Sequence, residues 1–134
     1  MAVLPFAKPT KRIRDRAYMA AVRQLPCCAR RLSACGTGPL GGRPEADHAS
    51  RNHGANRKGD DTDTIPMCGL HHAHRTNRSG PFKHWTREQM REWCREQIAA
   101  TRRLVAVSRD VQDALSRDDL GRRGTLHVLP VGEL

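Results

Sequence analysis

The chain has 134 residues, of which 37% are hydrophobic and 4% aromatic, and it carries a formal net charge of +10. This length predicts one domain with a small apolar core, which a bound metal ion would help to stabilise. The positive charge indicates a polyanionic partner, most commonly nucleic acid. Since no apolar run approaches the roughly 20 residues needed to cross a bilayer, we expect no membrane association.

The role of the cysteines depends on the compartment in which the protein lies. Basic residues follow the apolar residues 1–6 and do not precede them, so this segment does not have the pattern of a signal peptide. We therefore expect an intracellular, cytoplasmic protein. In such a compartment, five cysteines together with seven histidines favour zinc binding over disulfides.

The first third of the chain predicts a flexible basic arm, one helix and a loop. Residues 1–11 contain two prolines and basic residues, and residues 13–25 place apolar side chains at helical spacing. Pro26 ends this helix, which delivers Cys27 and Cys28 into a turn. Residues 29–44 hold four glycines and two prolines and predict a loop.

The middle of the chain predicts a strand and a helix. Thr64 and Ile65 suit a strand at residues 64–67, although Pro66 limits its pairing. A helix is expected from near Gly69 and carries two adjacent histidines. Gly80 and the proline after it break that helix.

The last part of the chain predicts a long scaffold helix. Thr86 and Gln89 have the spacing of a capping box, and apolar residues then follow one helical face as far as Val105. Beyond Val107 the pattern weakens, and a further helix over residues 110–120 and a strand over residues 125–131 are expected. We divide the chain into an arm (1–11), a domain (12–107) and a C-terminal extension (108–134) of unassigned role.

Residues 46–72 concentrate potential metal ligands, and together with the preceding cysteines they resemble the HNH (ββα-metal, or His-Me finger) nuclease motif. The resemblance covers roughly residues 12–100 and is to the phage-type branch that includes the recombination-enhancement nucleases. It is carried by Leu25-Pro26-Cys27, Glu45-Ala46-Asp47-His48, Asp60-Asp61 and Asp63, and the run from Thr64 through Cys68 to His71-His72. It implies a small α+β fold with a zinc-stabilised ββα-metal core and flanking helices, and a phage or prophage protein of DNA processing or recombination.

The resemblance also implies a reaction, the metal-dependent hydrolysis of DNA phosphodiester bonds. His48 would be the general base that activates water, because histidine titrates near neutral pH. Asp47 would point to the other side of the first strand and, with His72, hold a catalytic divalent cation: Mg²⁺, Mn²⁺, Ni²⁺ or Zn²⁺. Asp63 stands where the family usually has Asn, and it would either fix the base or approach the metal.

The third ligand of the catalytic metal is open. Relatives often have a histidine four residues after the second of the paired histidines, where this chain has Thr76. His74 or His84 could replace it, or water and substrate could complete the shell.

A separate structural zinc site is predicted from cysteine spacing. Cys68-x2-His71 has the spacing of a zinc half-site, and Cys27-x7-Cys35 resembles the longer knuckle of some small phage HNH nucleases. The predicted ligands are Cys27, Cys35, Cys68 and His71, with Cys28 as the alternative to Cys27. Such a closed site leaves no position for water. Cys94 lies on the apolar face of the last helix and is expected to be a core thiol.

Basic residues around the motif could bind DNA phosphates without reading sequence. The candidates are Arg51, Arg57, Lys58, Arg75 and Arg78. Two rival functions remain: a non-catalytic, zinc-containing DNA-binding protein in which every Cys and His is structural, and an RNA-cleaving HNH toxin.

Overall fold

The computed structural model describes residues 11–38, 41–50 and 58–121, with only the backbone of residues 118–121. Within these ranges the chain forms a small α+β domain with one two-stranded sheet and three helices. In chain order they are α1 (Arg16–Val22), β1 (Glu45–His48), β2 (Thr64–Met67), α2 (Gly69–Asn77) and α3 (Arg87–Gly121), with 3-10 turns at Asp61–Asp63 and Gly80–Phe82. The strand predicted over residues 125–131, Arg51 and Arg57 lie outside the described residues.

The two strands form an antiparallel hairpin, in which Asp47 pairs with Ile65 and His48 with Thr64. The predicted strand at residues 64–67 is confirmed, and all of β2 is buried. Because successive side chains of a strand alternate between faces, Glu45 and Asp47 share one face of β1 and His48 lies on the other. This alternation places adjacent polar side chains in different surroundings.

Helix α1 is shorter than the predicted helix over residues 13–25. The Asp15 side chain caps it by accepting a hydrogen bond of 2.9 Å from the Tyr18 N–H. Before the cap, Ile13 bonds to the loop that precedes β2: its N–H donates to the Asp60 carboxylate at 2.8 Å, and its carbonyl accepts from the Asp61 N–H at 3.0 Å. These contacts with the loop before β2 take the place of the first turn of the predicted helix.

Two apolar clusters hold the hairpin and the helices together. The larger contains Ile65, Met67, Phe82 and Met90, and it joins β2 to α3. The Phe82 ring meets two tryptophan rings edge to face, with centroid distances of 5.0 and 5.3 Å. The smaller cluster is Tyr18, Val22 and Val105, which join α1 to the middle of α3.

Helix α3 runs without interruption from Arg87 to Gly121, whereas a weaker, separate helix was expected after Val107. Its start is the predicted capping box: the Gln89 N–H donates to Thr86 Oγ1 at 3.1 Å, and the Thr86 N–H donates to Gln89 Oε1 at 2.9 Å. No glycine or proline lies between residues 87 and 120, so no residue of that kind interrupts it before Gly121. In the part of the chain that is described, no helix is both long and apolar enough to cross a membrane.

Candidate metal centre and adjoining polar cluster

The four predicted zinc ligands lie together where the segment after α1 meets the start of α2. One donor atom each from Cys27, Cys35, Cys68 and His71 lies within 4.8 Å of the other three. Nδ1 of His71 is 3.4 Å from Sγ of Cys27 and 3.2 Å from Sγ of Cys68. Three sulfurs and one imidazole nitrogen are a common donor set for structural zinc, so this cluster, called the Cys3His cluster below, could hold a zinc ion.

The alternative ligand Cys28 lies outside the Cys3His cluster. Its backbone N–H donates to the Pro66 carbonyl at 2.8 Å, which attaches this turn to β2. Burial, and then the neighbouring Cys27, raise the pKa of the Cys28 thiol well above its usual range. The geometry therefore favours Cys27 as the ligand.

The imidazole of His71 is oriented for metal binding from its far side. Ser33 Oγ lies 2.8 Å from Nε2, which leaves Nδ1 facing the sulfurs. A hydrogen bond of this kind fixes the ring in metal sites. Burial and the nearby His74 lower the pKa of His71, so its neutral, metal-binding form is favoured.

The thiols of the Cys3His cluster show the repulsion that a cation would relieve. Burial opposes ionisation of Cys68, but the N–H groups of His71 and Gly36 lower the pKa of that thiol. Desolvation and the adjacent Cys27 raise the pKa of Cys35 to about 11. Because neighbouring thiols cannot all ionise without a counter-charge, the chemistry of this donor set fits a bound Zn²⁺.

A second cluster forms on the exposed side of α2, around His72. Its Nε2 lies 3.3 Å from Asp47 Oδ1, and its Nδ1 lies 2.5 Å from Glu45 Oε2. Metal–ligand bonds of about 2.0–2.2 Å place two donors of one ion roughly 3–3.5 Å apart, so Asp47 and His72 are spaced to share a cation. Glu45 fixes the ring and was missed by the sequence reasoning, although strand alternation places it on the face of Asp47.

The guanidinium of Arg75 forms a bidentate ion pair with the carboxylate of Asp47. Its Nε and Nη2 donate to the two oxygens at 2.6 and 2.7 Å, and Nη2 also donates to the His48 carbonyl at 3.3 Å. Burial would lower the pKa of Arg75, but the hydrogen bond and charge of Asp47 raise it, so the guanidinium stays charged. A residue predicted to contact DNA is thus paired with a predicted metal ligand.

His48 lies on the opposite face of β1 and is oriented by Asp61. Its Nε2 is 2.8 Å from Asp61 Oδ1, to which Arg12 also donates at 2.9 Å. Burial would raise the pKa of Asp61, but hydrogen bonds from His48, the Asp15 N–H and Arg12 lower it to about 2. Arg12 Nη2 also lies 3.3 Å from Nε2, but the shorter contact is with the carboxylate, which only accepts. In the neutral imidazole this contact assigns the hydrogen to Nε2 and leaves Nδ1 as the acceptor. Within the described ranges no hydrogen-bond partner faces Nδ1.

Asp63 lies at the other end of the same turn and has other contacts. Ser50 Oγ donates to its Oδ2 at 2.7 Å, and its Oδ1 forms an ion pair with Arg102 of α3. The interaction with the base that was predicted for Asp63 is made by Asp61. Asp60, Asp61 and Asp63 lie within four residues, and their spacing alone does not indicate which of them contacts His48.

The remaining candidate residues within the described ranges are His74, His84, Lys58 and Arg78. The His74 ring lies against Gly80, where φ is +55° and a Cβ would be 2.4 Å from His74 Nδ1. His84, Lys58 and Arg78 are exposed. Among the residues that the structure describes, neither His74 nor His84 forms a three-ligand group with Asp47 and His72.

The fold and the Cys3His cluster define a small α+β domain with a candidate zinc centre. No protein-family model, curated protein or solved structure matches this chain. The role of the second cluster is therefore inferred from its own geometry.

Proposed function

We propose that this protein is an HNH-type, metal-dependent endonuclease that hydrolyses phosphodiester bonds of DNA. One observation carries the proposal: Asp47 Oδ1 and His72 Nε2 lie 3.3 Å apart on one face of the hairpin, while the next residue, His48, presents an imidazole oriented by a carboxylate. This arrangement separates cation binding from proton transfer. Phage or prophage origin and a part in recombination remain predictions from the sequence resemblance.

His48 is the general base in this proposal. Asp61 accepts the hydrogen on Nε2 and so holds the tautomer in which Nδ1 can take a proton from water. Arg12 donates to the same carboxylate and keeps it ionised. The base therefore has a fixed ring orientation before substrate arrives.

The cation would be held by Asp47 and His72. When bound, it would neutralise charge that develops on the phosphate and on the departing oxygen. Glu45 keeps Nε2 of His72 directed at Asp47 by accepting from Nδ1. The Cys3His cluster has a separate, structural role, because a four-ligand site of this type is closed to water.

A second candidate, a non-catalytic zinc-containing DNA-binding protein, is favoured by one contact. The two hydrogen bonds from the Arg75 guanidinium satisfy both oxygens of Asp47 without any metal ion. In that case Asp47 would be a structural partner of Arg75, and His48 a surface histidine held by Asp61. The two candidates differ in whether His48 is needed for strand cleavage.

The decisive experiment is nicking of supercoiled plasmid by zinc-loaded protein with added Mg²⁺, Mn²⁺, Ni²⁺ or Zn²⁺. We expect His48→Gln to lower the cleavage rate by about 10²- to 10⁴-fold, as loss of a general base does, with zinc content and thermal unfolding unchanged. The matched control is His84→Gln, since His84 is exposed. That variant should cleave like the unmodified protein.

Two outcomes would overturn the assignment. If the unmodified protein fails to cleave DNA with every cation, while still binding it, the non-catalytic candidate is correct. If it cleaves an RNA of matched sequence and leaves DNA intact, the substrate is RNA and the toxin reading replaces this one.

A further inference from the structure

A groove of about 670 Å³ lies between the end of β1, α2 and the first half of α3. Of the described residues that line it, five are arginines and none is acidic. These arginines are Arg75, Arg78, Arg87, Arg91 and Arg95. A cavity with this lining fits a ligand that carries several negative charges.

Three of the arginines form a stripe along α3. Arg87, Arg91 and Arg95 are spaced four residues apart, so their side chains lie on one face of the helix. Like charges at this spacing repel one another, and only Arg95 has an acidic partner among the described residues, an exposed Glu92 at 3.3 Å. Among the described residues, the stripe is therefore a basic surface on which only Arg95 has an acidic side chain within ion-pair distance.

The groove adjoins the end of β1 that carries Asp47 and His48. Ala49 and Ser50, which directly follow His48 in the chain, line it, as does Arg75, which contacts Asp47 at 2.6 and 2.7 Å. A chain of phosphates lying along the α3 stripe would thus pass the proposed reaction centre. The arginines of α3 are not among the DNA-binding residues predicted from the sequence, which predicts this helix as scaffold.

We propose that this arginine groove binds the phosphodiester backbone of DNA and leads it to His48. The choice of DNA rests on the proposed function, whereas the preference for an extended polyanion rests on the size of the stripe. Eight residues of helix span about 12 Å. With one phosphate per roughly 3.4 Å of each strand, this length matches three to four phosphates, more than a single small anion offers.

The test is DNA binding by fluorescence anisotropy across a series of salt concentrations. It uses zinc-loaded full-length protein that carries His48→Gln and receives no further cation, so that cleavage does not interfere. The triple variant R87Q/R91Q/R95Q is compared with R23Q/R30Q/R103Q, which removes the same charge from exposed arginines outside the groove. Thermal unfolding confirms that both are folded, and the single variant Arg91→Gln replaces the triple one if it is not.

We expect the groove variant to bind DNA about tenfold or more weakly than the control, and its dependence of log K on log salt to fall by roughly 2 to 3. Equal losses in the two triple variants would overturn the proposal, because they would show an effect of net charge alone. A preference for RNA of the same length would overturn the choice of DNA. If binding depends on the groove but the protein with His48 intact cleaves no nucleic acid in the nicking assay, the nuclease assignment fails and the groove stands. If that protein cleaves DNA but binding does not depend on the groove, the nuclease assignment stands and the groove proposal fails.

Discussion

The two clusters on either side of the first turn of α2 satisfy their charges in opposite ways. In the Cys3His cluster the imidazole is fully buried, and three thiols converge with no ion pair to a basic side chain among the residues that the structure describes. In the cluster around His72, the buried Asp47 already has a bidentate partner in Arg75, and His72 has Glu45. The first cluster thus offers four donor atoms to a metal ion, whereas the acids of the second are already paired with basic side chains. One zinc should therefore be held tightly, and the second cation should exchange.

The largest expected effect is loss of the zinc. Apparent binding energies of structural zinc are on the order of 10–16 kcal/mol, which exceeds the stability of a small domain. We expect Cys68→Ser to lose both its zinc and a cooperative unfolding transition, as measured by elemental analysis and circular dichroism. The matched control Cys28→Ser, one residue from a ligand, should keep one zinc per chain. Loss of zinc from that control instead would move the ligand from Cys27 to Cys28.

Asp47→Ala tests whether the second cluster is held by its ion pair. The Asp47 and Arg75 side chains are 4% and 18% exposed, so removing the carboxylate leaves a partly buried guanidinium unpaired. Breaking a buried pair in this way costs about 3–5 kcal/mol. Urea unfolding of the zinc-loaded protein should show a loss near the lower end of that range.

The control for Asp47→Ala is the surface pair of Glu92 and Arg95, whose side chains are 61% and 72% exposed. Glu92→Ala should change the unfolding free energy by less than about 1 kcal/mol. If Asp47→Ala is equally mild, Arg75 is not what stabilises the second cluster. The comparison between the two clusters would then fail.

Asp61→Asn should lower the unfolding free energy less than Cys68→Ser or Asp47→Ala does, although it acts directly on the proposed base. An amide at this position can donate to Nε2 of His48 and so favour the tautomer in which Nδ1 carries the hydrogen. We expect cleavage to fall by about 100-fold or more, as when the carboxylate behind a catalytic histidine is replaced by an amide. Since the pKa of Asp61 is lowered to about 2, the carboxylate stays ionised throughout a neutral assay range.

Asp63→Asn is the matched comparison, two residues along the same turn. It weakens an ion pair with Arg102, so it should mainly lower thermal stability, with little change in the cleavage rate of the folded protein. Plasmid nicking and thermal unfolding of both variants separate the two roles. A larger rate loss in Asp63→Asn would return the base-orienting role to Asp63.

The parts of the fold that the sequence predicted depend on local spacing. Cys68-x2-His71 places two ligands within one helical turn, and alternation along β1 separates Asp47 from His48. These patterns hold whatever the remaining chain does. The strand β2, the helix α2 and the four-ligand cluster were therefore predictable.

The parts that were missed depend on contacts between distant segments. Arg75 reaches Asp47 across 28 positions, and Arg12 reaches Asp61 across 49. No spacing rule relates such pairs, because they arise only once α2 and the segment just before α1 pack against the hairpin and the turn before β2. The four-residue spacing of Arg87, Arg91 and Arg95 can be read from the sequence. The groove that they line exists only in the folded chain.

The adjacency of His71 and His72 has a consequence for how the protein would fail. His71 and His72 are consecutive residues of α2, whose side chains point about 100° apart. One imidazole therefore belongs to the Cys3His cluster and the other to the cluster around His72. Oxidation of the thiols, by releasing zinc, would free the first turn of α2 and displace both rings together. Oxidative damage to the Cys3His cluster, of which Cys35 is exposed, would thus also disturb the geometry of the cluster around His72.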